Sequence, residues 1–262
     1  MTTMIEATRR RDAIRAAVER DGYVSLSSLS EEYGVSPVTI HRDLQQLESE
    51  GALERIRGGA RSLGMPTRIW TEFEARASLN AERKGEIAAR AMAEVPDGAT
   101  IFLDSSTTAL AMMPLLEREP ARGLTVVTNS PVLGAQFSAP LIDVVVLPGE
   151  LNQSLRALTG RWTVEFIDQL VFSAAFVSAA GVTPERGLMT TQRELVEVTK
   201  AAFERAERRV ALIDSSKFGV SAMLSMAPSD AVDLIITDSS LPETAVDDYR
   251  RAGLTVVRAG EA

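Results

Sequence analysis

The sequence contains no cysteine, which excludes disulfide bonds, thiolate metal sites and cysteine nucleophiles. Its single histidine, His41, has no neighbouring ligand residues, so a metal site is disfavoured and we predict no cofactor. The chain also lacks an apolar run of the ~18 residues that a membrane span requires. Its first residues show no positive region followed by an apolar stretch. We therefore expect a cytoplasmic protein with no membrane partner.

The length and charge of the chain limit the possible classes. A chain of 262 residues is expected to form two domains. The net charge of −8 argues against an indiscriminate polyanion binder, because non-specific DNA affinity comes from Lys and Arg. Arginines nevertheless cluster at Arg9–Arg11 and at Arg55, Arg57 and Arg61. This local positive charge is compatible with site-specific DNA binding.

One helix is marked at both ends, between Ser36 and Gly51. Ser36 can accept a hydrogen bond at the start, Pro37 suits the first helical position, and Gly51 suits a left-handed exit. The apolar stripe of this helix comprises Ile40, Leu44 and Leu47. The opposite face comprises Val38, His41, Arg42 and Gln45.

A shorter helix precedes it, with Leu26, Leu29 and Tyr33 inward, and Gly34-Val35 supply a tight turn. Two short helices joined by a glycine turn predict a helix-turn-helix, whose second helix enters the DNA major groove. The alternative is that the polar face is simply solvated.

The flanking segments extend this pattern to a winged helix. Residues 5–20 predict a first helix, and Gly58-Gly59 predict a tight hairpin after the second one. Arginines on such a wing would lie along the phosphate backbone, although a merely charged, exposed hairpin has the same sequence pattern. The candidate DNA-binding residues are Ser36, Val38, Thr39, His41, Arg42, Gln45, Arg55 and Arg57.

Residues 9–61 resemble the DNA-binding domain of the DeoR family of bacterial transcriptional regulators. The resemblance is carried by Val35–Leu44 and Gly51–Ala60. The family usually has Thr-Ile-Arg-Arg-Asp-Leu at positions 39–44, and this chain has His41 in place of the first arginine. His41 is therefore either a DNA contact or a surface residue.

A second domain is predicted after an irregular stretch. We expect a DNA-binding domain at 1–62, a linker at 63–79 and a larger domain at 80–262, with Asn80 capping its first helix. Seven short aliphatic runs follow, separated by helical patterns, and they predict an α/β fold with a mostly parallel sheet covered on both sides. The runs are Thr100–Leu103, Leu124–Val127, Asp143–Leu147, Ala174–Val177, Val210–Ile213, Leu234–Ile236 and Thr255–Val257.

Polar residues follow three of these predicted strands, where a ligand of such a fold binds. The first strand ends in Asp104-Ser105-Ser106-Thr107-Thr108, and the others end in Thr128-Asn129-Ser130 and Asp214–Lys217. Hydroxyl groups and free N–H groups at a helix start suit a phosphate. Ser105 or Ser106 could instead serve only as a helix cap.

This half of the chain also resembles the DeoR family, namely its effector domain. The stretches that carry the resemblance are Phe102–Thr108, Thr128–Ser130, Ala175–Val182, Gly187–Thr191, Glu194–Lys200 and Asp214–Phe218. That domain is similar to ribose-phosphate isomerases and typically binds phosphorylated sugars or related metabolites. The resemblance implies that Ser106, Thr107 and Thr108 hold a phosphate. The complete candidate effector site is Asp104, Ser105, Ser106, Thr107, Thr108, Asn129, Ser130, Gly149, Gly181, Glu194, Lys200 and Lys217. Glu194 and Lys200 could instead be exposed helix charges.

The chain departs from the family pattern at two positions that border this site. Ala180-Gly181 replaces an acid followed by glycine, and Pro148-Gly149-Glu150 has one glycine where two are frequent. The missing acid removes a hydrogen-bond acceptor and a candidate general base.

The sequence thus predicts a DNA-binding repressor of a carbohydrate uptake or catabolism operon, relieved by a phosphorylated sugar. A single helix-turn-helix buries too little to be selective, so we expect a homodimer or homotetramer on operator DNA. The rival is an isomerase-type enzyme acting on sugar phosphates, with Asp104, Glu194 and Lys217 as acid-base groups. A constitutive regulator that has lost its ligand is a third hypothesis.

Overall fold

The computed structural model describes residues 2–21, 23–56, 59–63, 72–118, 123–138 and 140–261. The chain forms two compact units, Met1–Leu79 and Asn80–Ala262. Of the predicted linker, residues 64–71 lie outside the described ranges, and residues 72–78 form a helix.

The first unit is a helical domain with a small sheet. Its elements are α1 (Thr2–Asp21), β1 (Tyr23–Ser25), α2 (Leu26–Tyr33), α3 (Pro37–Ser49), β2 (Leu53–Ile56), β3 (Gly59–Ser62) and α4 (Glu72–Ser78). The sheet is antiparallel in the order β1-β3-β2, with Arg55 opposite Ala60 and Val24 opposite Ala60 from the other side. The pattern of three helices and a hairpin is therefore present, and β1 was not predicted.

The core of the first unit lies between the three long helices and the sheet. Ile14, Leu29, Ile40 and Leu44 are at most 1% exposed. Gly34 and Gly51 adopt φ values of +61° and +68°, which non-glycine residues rarely do. The predicted turn and helix exit depend on these two glycines.

The second unit is built on a parallel sheet. Its seven strands are β4 (Thr100–Leu103), β5 (Thr125–Thr128), β6 (Asp143–Val146), β9 (Ala174–Val177), β12 (Arg209–Leu212), β14 (Leu234–Thr237) and β15 (Val256–Arg258). Their spatial order is β15-β14-β12-β9-β4-β5-β6, and every pair is parallel. The predicted α/β class with a mostly parallel sheet is confirmed.

The helices and the remaining strands surround this sheet. The helices are α5 (Ala81–Ala91), α6 (Thr107–Leu110), α7 (Met113–Arg118), α8 (Pro131–Gln136), α9 (Arg161–Ile167), α10 (Arg193–Glu204) and α11 (Glu243–Arg251). The sequence did not predict the short antiparallel strands β7 (Glu150–Asn152), β8 (Ala157–Thr159), β10 (Gly181–Thr183), β11 (Gly187–Thr190) and β13 (Leu224–Ala227).

Both faces of the parallel sheet are buried. Successive residues of one strand enter different hydrophobic clusters: Phe102 packs in one, and Ile101 and Leu103 pack in the other. This explains why the strands are continuous aliphatic runs rather than alternating patterns.

The direction of strand addition reverses between β4 and β9. From β4 the chain adds β5 and β6 on one side, and from β9 it adds β12, β14 and β15 on the other. Such a reversal opens a crevice at the carboxyl ends of the two central strands, which is where ligands bind in open α/β sheets.

Within the described residues, the helices are too short or too polar to cross a membrane.

Candidate functional site

The start of α3 is fixed by a side-chain cap. Ser36 Oγ accepts a hydrogen bond from Thr39 N at 3.3 Å and lies 2.9 Å from Thr39 Oγ1. Pro37 occupies the first turn, as its sequence position predicted. The hydroxyl groups of Ser36 and Thr39 are therefore engaged in the cap at the exposed end of the helix.

The polar face of α3 is open. Val38 is 62% exposed, and His41, Arg42 and Gln45 are exposed as well. In the described part of the chain, Arg42 and Gln45 have no side-chain partner. This face can therefore meet another molecule without first breaking internal contacts.

An ion pair holds α3 from beneath this face. Arg10 Nε of α1 lies 2.6 Å from Asp43 Oδ2, and the Asp43 side chain is 6% exposed. Sequence reasoning missed this contact, although Asp43 lies on the apolar stripe three residues after Ile40, where a charged side chain needs a partner.

Both wing arginines that the structure describes form ion pairs. Arg55 pairs with a glutamate of α3, and Arg61 of β3 pairs with a glutamate of β2. Arg55 Nε lies 3.4 Å from Glu48 Oε2, and the Arg55 backbone N–H donates to Glu48 Oε1 at 3.0 Å. Arg61 pairs with Glu54 on the neighbouring strand. Arg57 lies outside the described residues. Arg55 is thus held on the wing with its side chain 32% exposed.

In the second unit, one carboxylate bridges the crevice between β4 and β9. Asp104 follows β4 and accepts a hydrogen bond from Ser178 N, beyond the end of β9, at 2.8 Å. Its other oxygen accepts from Ser106 N at 3.0 Å. Ser178 was not among the predicted site residues.

A third strand end contributes a cation. Lys217 follows β12, and its Nζ donates to Ser178 Oγ at 3.2 Å and lies 3.4 Å from Asp214 Oδ2. The structure therefore brings Asp104, Ser178, Asp214 and Lys217 together; we call these four residues the strand-end cluster.

The pKa values of the two carboxyl groups of the cluster are shifted in opposite directions. Burial raises the pKa of Asp104, and the hydrogen bonds from Ser106 and Ser178 and the charge of Lys217 oppose this shift without cancelling it. Burial also acts to raise the pKa of Asp214, but the Lys217 charge and the hydrogen bonds from Ser216 outweigh it and lower that pKa.

The hydroxyl groups near the cluster include helix caps. Ser106 Oγ accepts from Ala109 N at 3.0 Å and Ser130 Oγ accepts from Leu133 N at 3.2 Å, so capping holds for both. A capping hydroxyl accepts with its oxygen and still has an O–H to donate. Ser105 and Thr107 are buried nearby, and Thr108 Oγ1 is buried without a hydrogen-bond partner in the described structure.

Asn129 ties β8 to the end of β5. Its backbone C=O accepts from Leu158 N at 2.7 Å, and its Nδ2 donates to Leu158 O at 3.1 Å. Asn129 is 1% exposed, and its Oδ1 has no partner among the described atoms. An unsatisfied buried acceptor is costly, so this oxygen is a candidate acceptor for a ligand donor.

Steric contacts explain the two glycines of the candidate site. A Cβ at Gly149 would lie 2.1 Å from Thr163 Oγ1 and 2.7 Å from Thr159 O. A Cβ at Gly181 would lie 2.1 Å from Val220 O. Both glycines allow close backbone packing that shapes the loops around the crevice.

Among the described contacts, none joins Glu194 or Lys200 to the strand-end cluster. Both are exposed on α10, and Lys200 Nζ lies 3.7 Å from Glu197 Oε1.

Asn80 occupies the N-cap position of α5, as predicted, but the expected side-chain cap is wrong. Asn80 makes no side-chain cap bond, and its Nδ2 donates to Asp214 Oδ1 at 3.3 Å and to Ser216 Oγ at 3.4 Å. The amide reaches a carboxylate of the cluster instead of a backbone N–H.

A separate surface groove lies beyond the ends of β14 and β15. Its lining residues are Glu86, Ala89, Arg90, Ser239, Ala259 and Gly260. The candidate effector residues do not line it. Its charged groups are already engaged, because Glu86 accepts from Ser239 N at 2.8 Å and Arg90 pairs with Glu94 at 3.1 Å.

Comparison with known families covers both units. Residues 10–64 match the DeoR-like helix-turn-helix domain, and residues 79–239 match the DeoR C terminal sensor domain. The chain belongs to the DeoR family. It is therefore a DNA-binding transcriptional regulator, as predicted.

Several regulators are similar over nearly their whole length. The HTH-type transcriptional regulator GlpR of Haloferax volcanii is 32% identical over 97% of this chain and 98% of its own. The glycerol-3-phosphate regulon repressor of Escherichia coli is 29% identical over 91% of this chain and 93% of its own.

Similar solved structures include isomerases. Ribose 5 phosphate isomerase A from Neisseria gonorrhoeae is 18% identical, with a TM-score of 0.40, over 53% of this chain and 54% of that one. The eIF2B beta structure from Chaetomium thermophilum is 16% identical, with a TM-score of 0.44, over 59% of this chain and 48% of that one. Likeness at this level says nothing about chemistry.

Proposed function

We propose that this regulator is a repressor of a carbohydrate uptake or catabolism operon, released from its operator by a phosphorylated sugar or related metabolite. The effector binds at the crevice between β4 and β9. The observation that carries the proposal is the strand-end cluster, with its ammonium group, carboxylates and hydroxyl group, together with the unsatisfied amide oxygen of Asn129 at the end of the neighbouring strand β5. The Escherichia coli relative named for the glycerol-3-phosphate regulon supports the ligand class.

The chemistry of the site suits a phosphate ester of a polyol. Lys217 and the hydroxyl groups of Ser105, Ser106, Thr107 and Thr108 offer charge and O–H donors to the phosphate. Asp104 and Asn129 offer acceptors to sugar hydroxyl groups. Ser130, Gly149 and Gly181 shape the surrounding loops. Glu194 and Lys200, which are exposed on α10, would join the site only if α10 or the ligand reaches across the crevice opening.

Operator recognition is assigned to the open face of α3. Arg42 would reach a guanine edge or a phosphate, and Gln45 would pair with adenine, while His41 and Val38 complete the reading surface. Ser36 and Thr39 at the helix start, and Arg55 and Arg57 on the wing, would contact the phosphate backbone. A homodimer or homotetramer would present two such helices to repeated half-sites.

Release follows from linkage between the two sites. An effector that binds the non-DNA-competent arrangement more tightly shifts the population away from operator binding. The same coupling requires that operator DNA weaken effector binding by an equal factor.

We further propose that binding occurs without conversion of the ligand. Two observations support this: Glu194 is exposed on α10, and position 180, beside the crevice, carries alanine rather than an acid. Of the acid-base groups of the isomerase hypothesis, Glu194 therefore has no described contact with the strand-end cluster, and the acid that the family usually has at position 180 is absent.

The test is an electrophoretic shift with the DNA upstream of the chain's own gene, with and without triose, pentose and hexose phosphates. We expect specific binding that one phosphate ester abolishes and that the matching unphosphorylated sugar does not affect. A turnover assay with the same compounds should show no product. Operator binding that no ester changes would indicate a constitutive regulator, and conversion without DNA binding would indicate an enzyme.

A further inference from the structure

A tyrosine of α11 joins two backbone segments near Lys217. Tyr249 Oη donates to Val182 O at 2.7 Å and accepts from Gly219 N at 2.8 Å. Gly219 N also lies 3.0 Å from Val182 O, so the three groups are mutually bonded. Tyr249 is 6% exposed, which keeps water from competing for these bonds.

The ring of Tyr249 supports the same loop. It packs edge-on against Phe218, with the ring centroids 4.9 Å apart and an interplanar angle of 66°. Phe218 and Gly219 are the two residues that follow Lys217. Phe218 also forms an isolated parallel bridge with Val182. The hydroxyl and the ring of Tyr249 therefore contact the two residues that follow the lysine, the hydroxyl at the Gly219 backbone and the ring at the Phe218 side chain.

The other side of the loop is confined by β10. A Cβ at Gly181 would lie 2.1 Å from Val220 O, so strand and loop backbones are in close contact there. Gly219 itself adopts a φ of +72°, which makes a turn that few other residues adopt. The loop 217–220 is thus held between β10 and α11, and the Tyr249 hydroxyl of α11 bonds both to the loop at Gly219 and to β10 at Val182.

We propose that Tyr249 is a positioning residue for effector binding, which acts by fixing the loop that carries Lys217. The inference rests on the proposed function, because it assigns Lys217 to the phosphate. A lysine held in place before the ligand arrives loses less conformational entropy on binding. Releasing the loop therefore weakens phosphate binding although Tyr249 itself does not touch the ligand.

The test variant is Tyr249→Phe in the full chain, which removes the hydroxyl group and keeps the ring. We expect amide hydrogen exchange at Gly219 and Val220 to accelerate, and the affinity for inorganic phosphate and for glycerol 3-phosphate to fall about 10-fold. Operator affinity without ligand should stay unchanged. Phe218→Leu removes the ring contact instead, and should produce a smaller loss of affinity by the same route.

The Ser229→Ala variant is the matched control. Ser229 Oγ donates to Pro184 O at 2.6 Å, which is the same kind of bond just beyond the other end of β10. Its loss should leave phosphate affinity unchanged.

A double-mutant cycle separates positioning from general stability. If Tyr249 acts through Lys217, Tyr249→Phe should cause no further loss of phosphate affinity in a Lys217→Met background. Additive losses, or unchanged affinity in Tyr249→Phe while the wild type binds, would overturn the inference alone. If the wild type binds neither inorganic phosphate nor glycerol 3-phosphate, the proposed phosphate site fails and the inference fails with it.

Discussion

The open face of α3 and the strand-end cluster are both polar, but their polar side chains differ in whether they have hydrogen-bond partners within the protein. On α3, Arg42 and Gln45 extend into solvent without described partners. In the cluster, Asp104 and Asp214 are bonded to backbone N–H groups or to other side chains. The α3 face leaves its hydrogen-bonding groups free for a large partner, whereas the cluster is organised before any ligand arrives.

The proposed partners of the two surfaces explain this difference. DNA supplies a long row of phosphates and base edges, so flexible exposed side chains can find partners on it. A small ligand makes few contacts, and each contact is worth more if its partner is already oriented and desolvated. On the open face of α3, internal contacts therefore need to fix only the position of the helix. In the strand-end cluster, they need to fix each side chain.

We expect the largest effect from breaking the Arg10–Asp43 ion pair, which holds α3 beneath its open face. Asp43→Ala removes one partner of the Arg10–Asp43 pair and leaves a mostly buried guanidinium group without its carboxylate. We expect the free energy of unfolding of the first unit to fall by about 3 kcal/mol. Hydrogen exchange of the α3 amides during urea unfolding measures this loss.

An exposed ion pair between α1 and the C-cap residue of α3 provides the control. Arg15 Nη2 and Glu50 Oε2 are 2.9 Å apart, with side chains 41% and 39% exposed. Glu50→Ala should cost less than about 1 kcal/mol, because water screens and replaces this pair. Equal losses in the two variants would mean that burial of the Arg10–Asp43 pair is unimportant.

The next effect concerns the reading face itself. Arg42→Ala should reduce operator affinity about 10-fold to 100-fold, because a bidentate contact to a base or a phosphate is lost. Thermal unfolding and phosphate binding should not change, since the side chain has no described internal partner. Fluorescence anisotropy with labelled operator DNA measures the affinity.

Two neighbouring glutamines test which side of α3 contacts DNA. Gln45 is exposed on the reading side, whereas Gln46 Nε2 donates to Glu50 Oε1 at 2.9 Å. Gln45→Ala should weaken operator binding and Gln46→Ala should not. The reverse result would rotate the recognition surface around the helix and contradict the assignment.

Local sequence signals predict the main elements of both regions. The limits of α3 follow from local signals, namely Ser36, Pro37, Gly51 and the apolar stripe. All seven strands of the parallel sheet were predicted, because buried parallel strands are continuous aliphatic runs. The rule that such strands end at one edge then predicted that Asp104, Asn129 and Lys217 lie at that edge.

What the sequence did not predict depends on contacts between distant residues. β1 exists because it pairs with β3, and a strand of three residues has no periodic pattern of its own. The Asn80 amide bonds to Asp214, 134 positions away, so the local capping rule fails. Tyr249 has an ordinary place on a helix, and only the fold brings its hydroxyl to Val182 and Gly219.

The smallest expected effects are pKa shifts, which test whether the strand-end cluster is organised before a ligand binds. Asp104 and Asp214 should titrate on opposite sides of the ordinary carboxyl pKa of 3.8, Asp104 above it and Asp214 below it. Carboxyl ¹³C NMR of the full chain measures both values. Lys217→Met should raise the pKa of both residues, because the lysine charge lowers each of them in the wild type.

The two shifts have opposite consequences for stability. The native state holds the Asp104 proton more tightly than the unfolded chain, so its contribution to stability is complete below pH 3.8 and is lost as pH rises through the raised pKa. Asp214 binds its proton less tightly in the native state, so its contribution is present above pH 3.8 and is lost as pH falls through the lowered pKa. Titration of both groups at the ordinary value would mean that the cluster is hydrated and mobile like the α3 face, and the contrast between the two regions would disappear.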